Sequence, residues 1–152
     1  MDEIVARSLA RWPNVPAVYG WLQLDRRGNW LIKGERIGNA ALREFIGRNY
    51  EADERGCWFF QNGPQRVYVQ LAYTPLVMHY KGERLFDHCG RAVEVLETFL
   101  DDEGSVLIRG DRGIGLLDDR DLERYADAAE ELTRIPRAAV AERFGFVPDP
   151  GK

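Results

Sequence analysis

Apolar and polar positions change period several times along this chain. Ile4, Val5, Leu9 and Trp12 fall on one face of a short N-terminal helix, which Pro13 ends. Residues 18–25 read as a strand, 26–29 as a polar turn and 30–33 as the returning strand. Asn39 stands at the N-cap of a helix whose apolar face is Leu42, Phe45 and Ile46. Residues 53–56 form another turn. Residues 57–61 and 66–71 then make a hairpin around Asn62-Gly63-Pro64-Gln65, because Asn-Gly accepts the positive φ of a tight turn. A second hairpin pairs 76–80 with 85–88 around Lys81-Gly82-Glu83, and a strand follows at 93–100. Residues 119–132 read as a helix capped by Asp119, with Leu122, Tyr125, Ala126, Ala129 and Leu132 along one stripe. Pro136 suits the first turn of a last short helix, and 148–152 read as a loose tail.

Part of this pattern occurs twice. Leu24-Asp25, Gly28, Leu31-Ile32, Gly34 and Arg36 match Leu100-Asp101, Gly104, Leu107-Ile108, Gly110 and Arg112. With residues 113–116 as an insertion, Leu42-Arg43-Glu44-Phe45 then falls opposite Leu122-Glu123-Arg124-Tyr125. The expectation is an α+β fold of two similar hairpin-plus-helix units, about 18–50 and 93–132. Antiparallel hairpins at 57–88 lie between them and form a shared core. Residues 1–147 make one domain.

Composition narrows the function classes. The 152 residues are 45% hydrophobic and 11% aromatic, enough for one core. No apolar run reaches the ~20 residues of a membrane span. The start, acidic and then amphipathic, is unlike a secretory signal, so a cytoplasmic protein is expected. The net charge is -4, with residues 1–76 at +2 and 77–152 at -6. An acidic chain argues against nucleic acid as a partner, since that affinity comes from neutralising phosphates. Cys57 and Cys89 are the only cysteines, and both are expected as free thiols.

A resemblance supports this architecture. Gly28-Asn29-Trp30, Gly34-Glu35-Arg36-Ile37, Leu42-Arg43-Glu44-Phe45 and Gly56-Cys57-Trp58-Phe59-Phe60 resemble small proteobacterial families of unknown function. The run from Trp58 through Gln61-Asn62-Gly63-Pro64-Gln65-Arg66 to Val69, with Asn49-Tyr50 and Thr74-Pro75, looks like the signature of one of them. A related family, similar in its Gly-x-Trp hairpin and helix, implies an α+β fold with repeated motifs, and a signalling role has been suggested for it. The resemblance covers roughly residues 18–125. It implies no catalytic residues.

The 57–71 hairpin carries the best candidate site. Trp58, Phe60, Val67, Val69 and Leu71 share one face, and Cys57, Phe59, Gln61, Arg66, Tyr68 and Gln70 share the other. The second face mixes rings with hydrogen-bonding groups. It is either a sheet face partly covered by a helix, with Arg66 stacked on Tyr68, or a site for a small molecule or protein partner. On the second reading Phe59, Gln61, Asn62, Gln65, Arg66 and Tyr68 are the contact residues.

Other motifs point to chemistry less directly. His88 and Cys89 are adjacent on an expected strand, so their side chains should diverge. Cys57 with His79, or a carboxylate such as Asp53, could serve a hydrolase or transferase in the cleft between the units. Residues 110–115 resemble a phosphate loop, but their glycines do not open a helix, so a hairpin turn is the better reading. Asp101-Asp102-Glu103 and Asp118-Asp119-Arg120-Asp121 lack calcium-loop spacing. Trp30, Trp58, Phe59, Phe60 and Tyr68 could stack RNA bases, yet the charge balance favours core positions. No metal and no cofactor is expected. The leading expectation is a non-catalytic binding or regulatory module. The alternatives are the enzyme above and a structural homodimer joined through sheet edges.

Overall fold

The computed structural model describes residues 3–151, with only the backbone of Ile4. The expected packing of the Ile4 side chain, and Met1, Asp2 and Lys152, lie outside the described residues. The first half contains α1 (Glu3–Leu9), β1 (Ala17–Leu24), β2 (Trp30–Ile32), β3 (Glu35–Arg36), α2 (Ala40–Arg48), β4 (Tyr50–Ala52), β5 (Trp58–Asn62) and β6 (Gln65–Leu71). The second contains β7 (Leu76–Lys81), β8 (Arg84–Asp87), β9 (Val95–Asp101), β10 (Val106–Gly110) and β11 (Gly113–Leu117). A 3₁₀ helix (Asp119–Glu131), β12 (Thr133–Ile135) and α3 (Arg137–Phe144) complete it. The fold is α+β, as expected.

The strands form two six-stranded sheets, ordered β3-β2-β1-β6-β5-β4 and β12-β9-β10-β11-β7-β8. The internal likeness is real but lies in a different register from the sequence match. In the first sheet β2-β1-β6-β5-β4 are antiparallel except for the parallel pair β1/β6. In the second, β8-β7-β11-β10-β9 repeat that order, with the parallel pair β7/β11. Residues 17–71 therefore correspond to 76–117. The β9–β10 hairpin answers to β4–β5, not to the β1–β2 hairpin that it resembles in sequence. The hairpins at 57–88 do not lie between the units: β5–β6 belongs to the first sheet and β7–β8 to the second.

Turn chemistry explains the misleading match. In residues 25–29, the Asp25 N–H donates to Asn29 O, Gly28 N–H donates back to Asp25 O, and Asp25 Oδ1 accepts from Arg27 and Asn29 N–H. The same bonds recur at 53–57, 87–91 and 101–105 around Asp53, Asp87 and Asp101. Each of the four ends on a glycine with φ between +82° and +85° (Gly28, Gly56, Gly90, Gly104). The same Asp-x-x-Gly turn thus recurs at four reversals of the chain, and it sets no correspondence between units.

One hydrophobic core spans both sheets, from Trp12, Leu22 and Phe60 to Leu107, Ile108 and Val140. Asn39 caps α2 as expected, its Oδ1 accepting from Leu42 N–H at 2.8 Å. The second helix departs from expectation in two ways. Its cap is Asp118, whose carboxylate accepts from Arg120 N–H. The helix itself is 3₁₀: Leu122, Tyr125 and Ala128 are half-buried at a three-residue period, and of the expected stripe Ala129 and Leu132 are also covered while Ala126 is exposed. Strand β7 and its turn fix that period: Tyr80 N–H donates to Asp121, the Tyr80 and Tyr125 hydroxyls meet at 2.7 Å, and Arg124 donates to Gly82 O. The expected loose tail is held as far as residue 149, because Leu71 N–H donates to Pro148 O and Gln70 to Asp149.

Candidate functional site

The β5–β6 register pairs Phe59 with Tyr68, Gln61 with Arg66 and Asn62 with Gln65, so the two expected faces form. The outer face is not an open aromatic shelf. Cys57, Phe59 and Tyr68 make a small second core under Ala17, Tyr19 and Val147. Tyr68 stacks on Tyr19 at 4.9 Å and donates its hydroxyl to Asp53. Arg66 lies over Phe59 at 4.3 Å rather than over Tyr68. The guanidinium is exposed.

The polar residues of the hairpin tip hold its turn. Gln61 Nε2 donates to Gly63 O and Gln65 O, and Asn62 Nδ2 donates to Gln65 Oε1. Gln65 Nε2 ties the tip to the chain before β1 through Pro13 O and Val15 O, the latter at 2.7 Å. The structure thus brings Phe59, Arg66 and Tyr68 together on one surface and places Gln61, Asn62 and Gln65 at its end. Arg66 is the exposed charged residue of this surface.

The His88–Cys89 pair is a correction. The two side chains do converge, with Cys89 Sγ 3.7 Å from His88 Nε2. Both belong to the 87–91 turn rather than to a strand, so strand alternation does not separate them. The sequence signal was the Asp87-x-x-Gly90 spacing, the same as at Asp25. The turn packs where the two sheets meet. His88 lies 5.1 Å from the Trp30 ring and 5.6 Å from Tyr50. A Cβ on Gly28 would sit 2.8 Å from His88 Cβ, so the bare glycine lets the first turn close over the imidazole.

The proton arrangement at this pair is that of a packed core. Val77 N–H donates to His88 Nδ1 at 3.1 Å. A neutral imidazole accepting at Nδ1 carries its proton on Nε2, the nitrogen facing the thiol, and has no lone pair there to take the thiol proton. Burial pushes the imidazole pKa down to about 4. Burial, reinforced by Asp87, pushes the Cys89 thiol up to about 12. Asp87 itself is 1% exposed and pairs with Arg112 at 3.0 Å, which also donates to Tyr50 O.

The remaining candidates fall into structural roles. Cys57 and Cys89 are free thiols. Cys57 sits in the first sheet's small core with its pKa raised by burial, whereas His79 is on β7 in the second sheet beside Phe86, and no hydrogen bond joins them. Burial opposes ionisation of Asp53, but the Cys57 and Arg55 N–H groups outweigh it and hold the carboxyl below its ordinary range. Residues 110–113 turn β10 into β11. Trp30, Trp58, Phe59 and Phe60 are buried and offer no stacking platform. Among the described residues no group of three or more His, Cys, Asp or Glu could hold a metal ion, and no helix is long and apolar enough to cross a membrane.

Comparison with known proteins adds fold and family. The DUF2944 family model, described as "Protein of unknown function (DUF2946)", matches residues 1–151. No curated protein matches the chain. Two solved structures share the fold. A DUF1285 family protein from Silicibacter pomeroyi DSS-3 is 15% identical with a TM-score of 0.57, covering 84% of each chain. A DUF1285 family protein from Shewanella baltica OS155 is 17% identical with a TM-score of 0.55, covering 70% of this chain and 90% of its own.

Proposed function

The chain belongs to the DUF2944 family of unknown function, and from that premise we propose that it is a cytoplasmic, non-catalytic regulatory module that binds a protein or small molecule. The observation that carries this reading is the proton inventory at His88 and Cys89. Their convergent thiol–imidazole pair has its proton on the wrong nitrogen for base catalysis, and its thiol is driven away from the thiolate. Each of the four turn aspartates is committed to backbone N–H groups.

The binding strip is the outer face of β5–β6. Arg66 is its anchor, on the Phe59 ring and beside the Tyr19–Tyr68 stack, with Gln61, Asn62 and Gln65 at the rim. Guanidinium held on an aromatic face is preset for planar or anionic groups of a partner. Arg66→Ala is the clean probe, because Tyr68 belongs to the small core and its truncation unfolds as well as unbinds. Affinity capture from native lysate should lose its specific partner with Arg66→Ala while the melting temperature stays put. Unchanged capture removes this face. In parallel, Cys57 and Cys89 should resist a thiol probe near neutral pH until the protein is unfolded; fast native labelling of Cys89 overturns the non-catalytic reading.

A second reading rests on β9. β12 pairs only with Phe99–Asp101, so 95–98 have a strand on one side alone, and Val95 and Leu96 are 44% and 45% exposed there. Such an edge suits pairing with a second copy. Light scattering at high concentration tests it, and a strict monomer rejects it.

A further inference from the structure

A cleft on the first unit, separate from the Arg66 strip, has the build of a small-molecule site. It opens between the end of α1, the β1–β3 strands and the start of α2, and its volume is about 350 Å³. That is the lower end of the range for small-molecule sites. Its floor is aromatic and aliphatic: Trp12 and Leu42 are buried, and the half-buried Trp21 forms a wall 6.4 Å from Trp12 at 52°. Its rim is polar and includes Arg11, Arg36 and Glu35.

Two observations give the cleft a chemical preference. Trp21 Nε1–H is the only buried side-chain nitrogen or oxygen among the described residues with no hydrogen-bond partner. Buried donors are almost always satisfied, so the indole that forms this wall carries a donor whose hydrogen bond is unmet. The second is charge. Arg11 and Arg36 are exposed, and neither side chain makes a hydrogen bond or ion pair among the described residues. Glu35 is the one carboxylate on the rim.

We propose that this cleft binds a small planar aromatic monocarboxylate. The ring lies on the Trp12 and Trp21 walls, and the carboxylate is drawn by Arg36 and Arg11. Arg36 also lines a neighbouring cleft of about 300 Å³ beside His88 and Cys89.

The test uses 1-naphthoate as probe and 1-naphthamide as its neutral twin, titrated into ¹⁵N-labelled full chain. The Trp21 indole N–H resonance is identified by its loss in Trp21→Phe. Naphthoate should shift that resonance saturably, with the amide and Arg36→Gln each about tenfold weaker. Trp21→Phe, followed through the Trp12 indole resonance, should weaken binding by a similar factor. Arg36 is exposed, so its variant keeps the fold, and Arg134→Gln in the second sheet should bind as the parent does. No saturable shift, an amide that binds as well as the acid, or full affinity in Arg36→Gln each overturns the proposal. None of these outcomes touches the Arg66 strip, whose test reads partner capture.

Discussion

The four Asp-x-x-Gly turns form a natural perturbation series, because one local structure sits in four environments. Each Asp→Ala removes the acceptor of two backbone N–H groups. What differs is the second carboxylate oxygen and the burial. At Asp25 it accepts from the Asn29 amide at a half-buried position, where water can substitute. Asp25→Ala should cost about 1 kcal/mol. At Asp53, whose side chain is 7% exposed, the Tyr68 hydroxyl loses its acceptor too. The loss should be about 2 kcal/mol. Asp101 is 2% exposed and accepts from Tyr73 at 2.8 Å, so about 3 kcal/mol is expected. Asp87 holds Arg112 between the sheets, and its removal strands a guanidinium that is 28% exposed. That should cost about 4 kcal/mol, the range for breaking a buried pair. Urea unfolding with a constant slope reads all four. Asp→Asn variants refine the order. Asp25→Asn keeps the oxygen that accepts both N–H groups and recovers most of the loss, whereas Asp87→Asn turns an amide NH₂ toward Arg112 and recovers little. Equal losses at the four sites, or a larger loss at 25 than at 87, would refute the environmental reasoning.

Three further outcomes follow from particular contacts. His88 has its folded pKa lowered by burial to about 4, so the unfolded state binds the proton more readily. Stability from this group is full above about pH 6.5 and is lost as pH falls toward 4; the unfolding midpoint of His88→Gln should fall less steeply across that window than the parent's, and parallel curves contradict the assignment. Gly56 has φ 84°, and a Cβ there would overlap the Gly145 carbonyl. Gly56→Ala should cost about 4 kcal/mol by denaturant melt, against about 1 kcal/mol for Gly63→Ala, whose surroundings are open. Tyr50→Phe removes a buried hydroxyl bond of 2.7 Å to Pro75 O and should lower stability by about 1–2 kcal/mol in calorimetry, with little change in the near-UV spectrum of the neighbouring rings.

Local structure is legible in the residues alone. Strand alternation, the Asn39 cap, the Asn62–Gln65 hairpin and the two faces of β5–β6 follow from spacing within a few residues, and the α+β class follows from them. Turn residues were legible too, but they misled about the repeat. An aspartate and a glycine three residues apart encode a reversal of the chain and nothing about which strands it joins. Tertiary structure decided the rest. The parallel pairs β1/β6 and β7/β11 join segments about fifty and forty residues apart, and no turn between them records that choice. The same holds for burial. Alternation puts Phe59 and Tyr68 on one face, but that Tyr19 and Val147 pack over them is a tertiary fact. His88 and Cys89 looked divergent until the turn folded them together. Trp12, Trp21 and Arg36 meet only because α1, β1 and β3 pack around one cleft. Sequence periodicity reports which way a side chain points from its own backbone. Which other segment arrives to cover it depends on long-range packing, which periodicity does not encode.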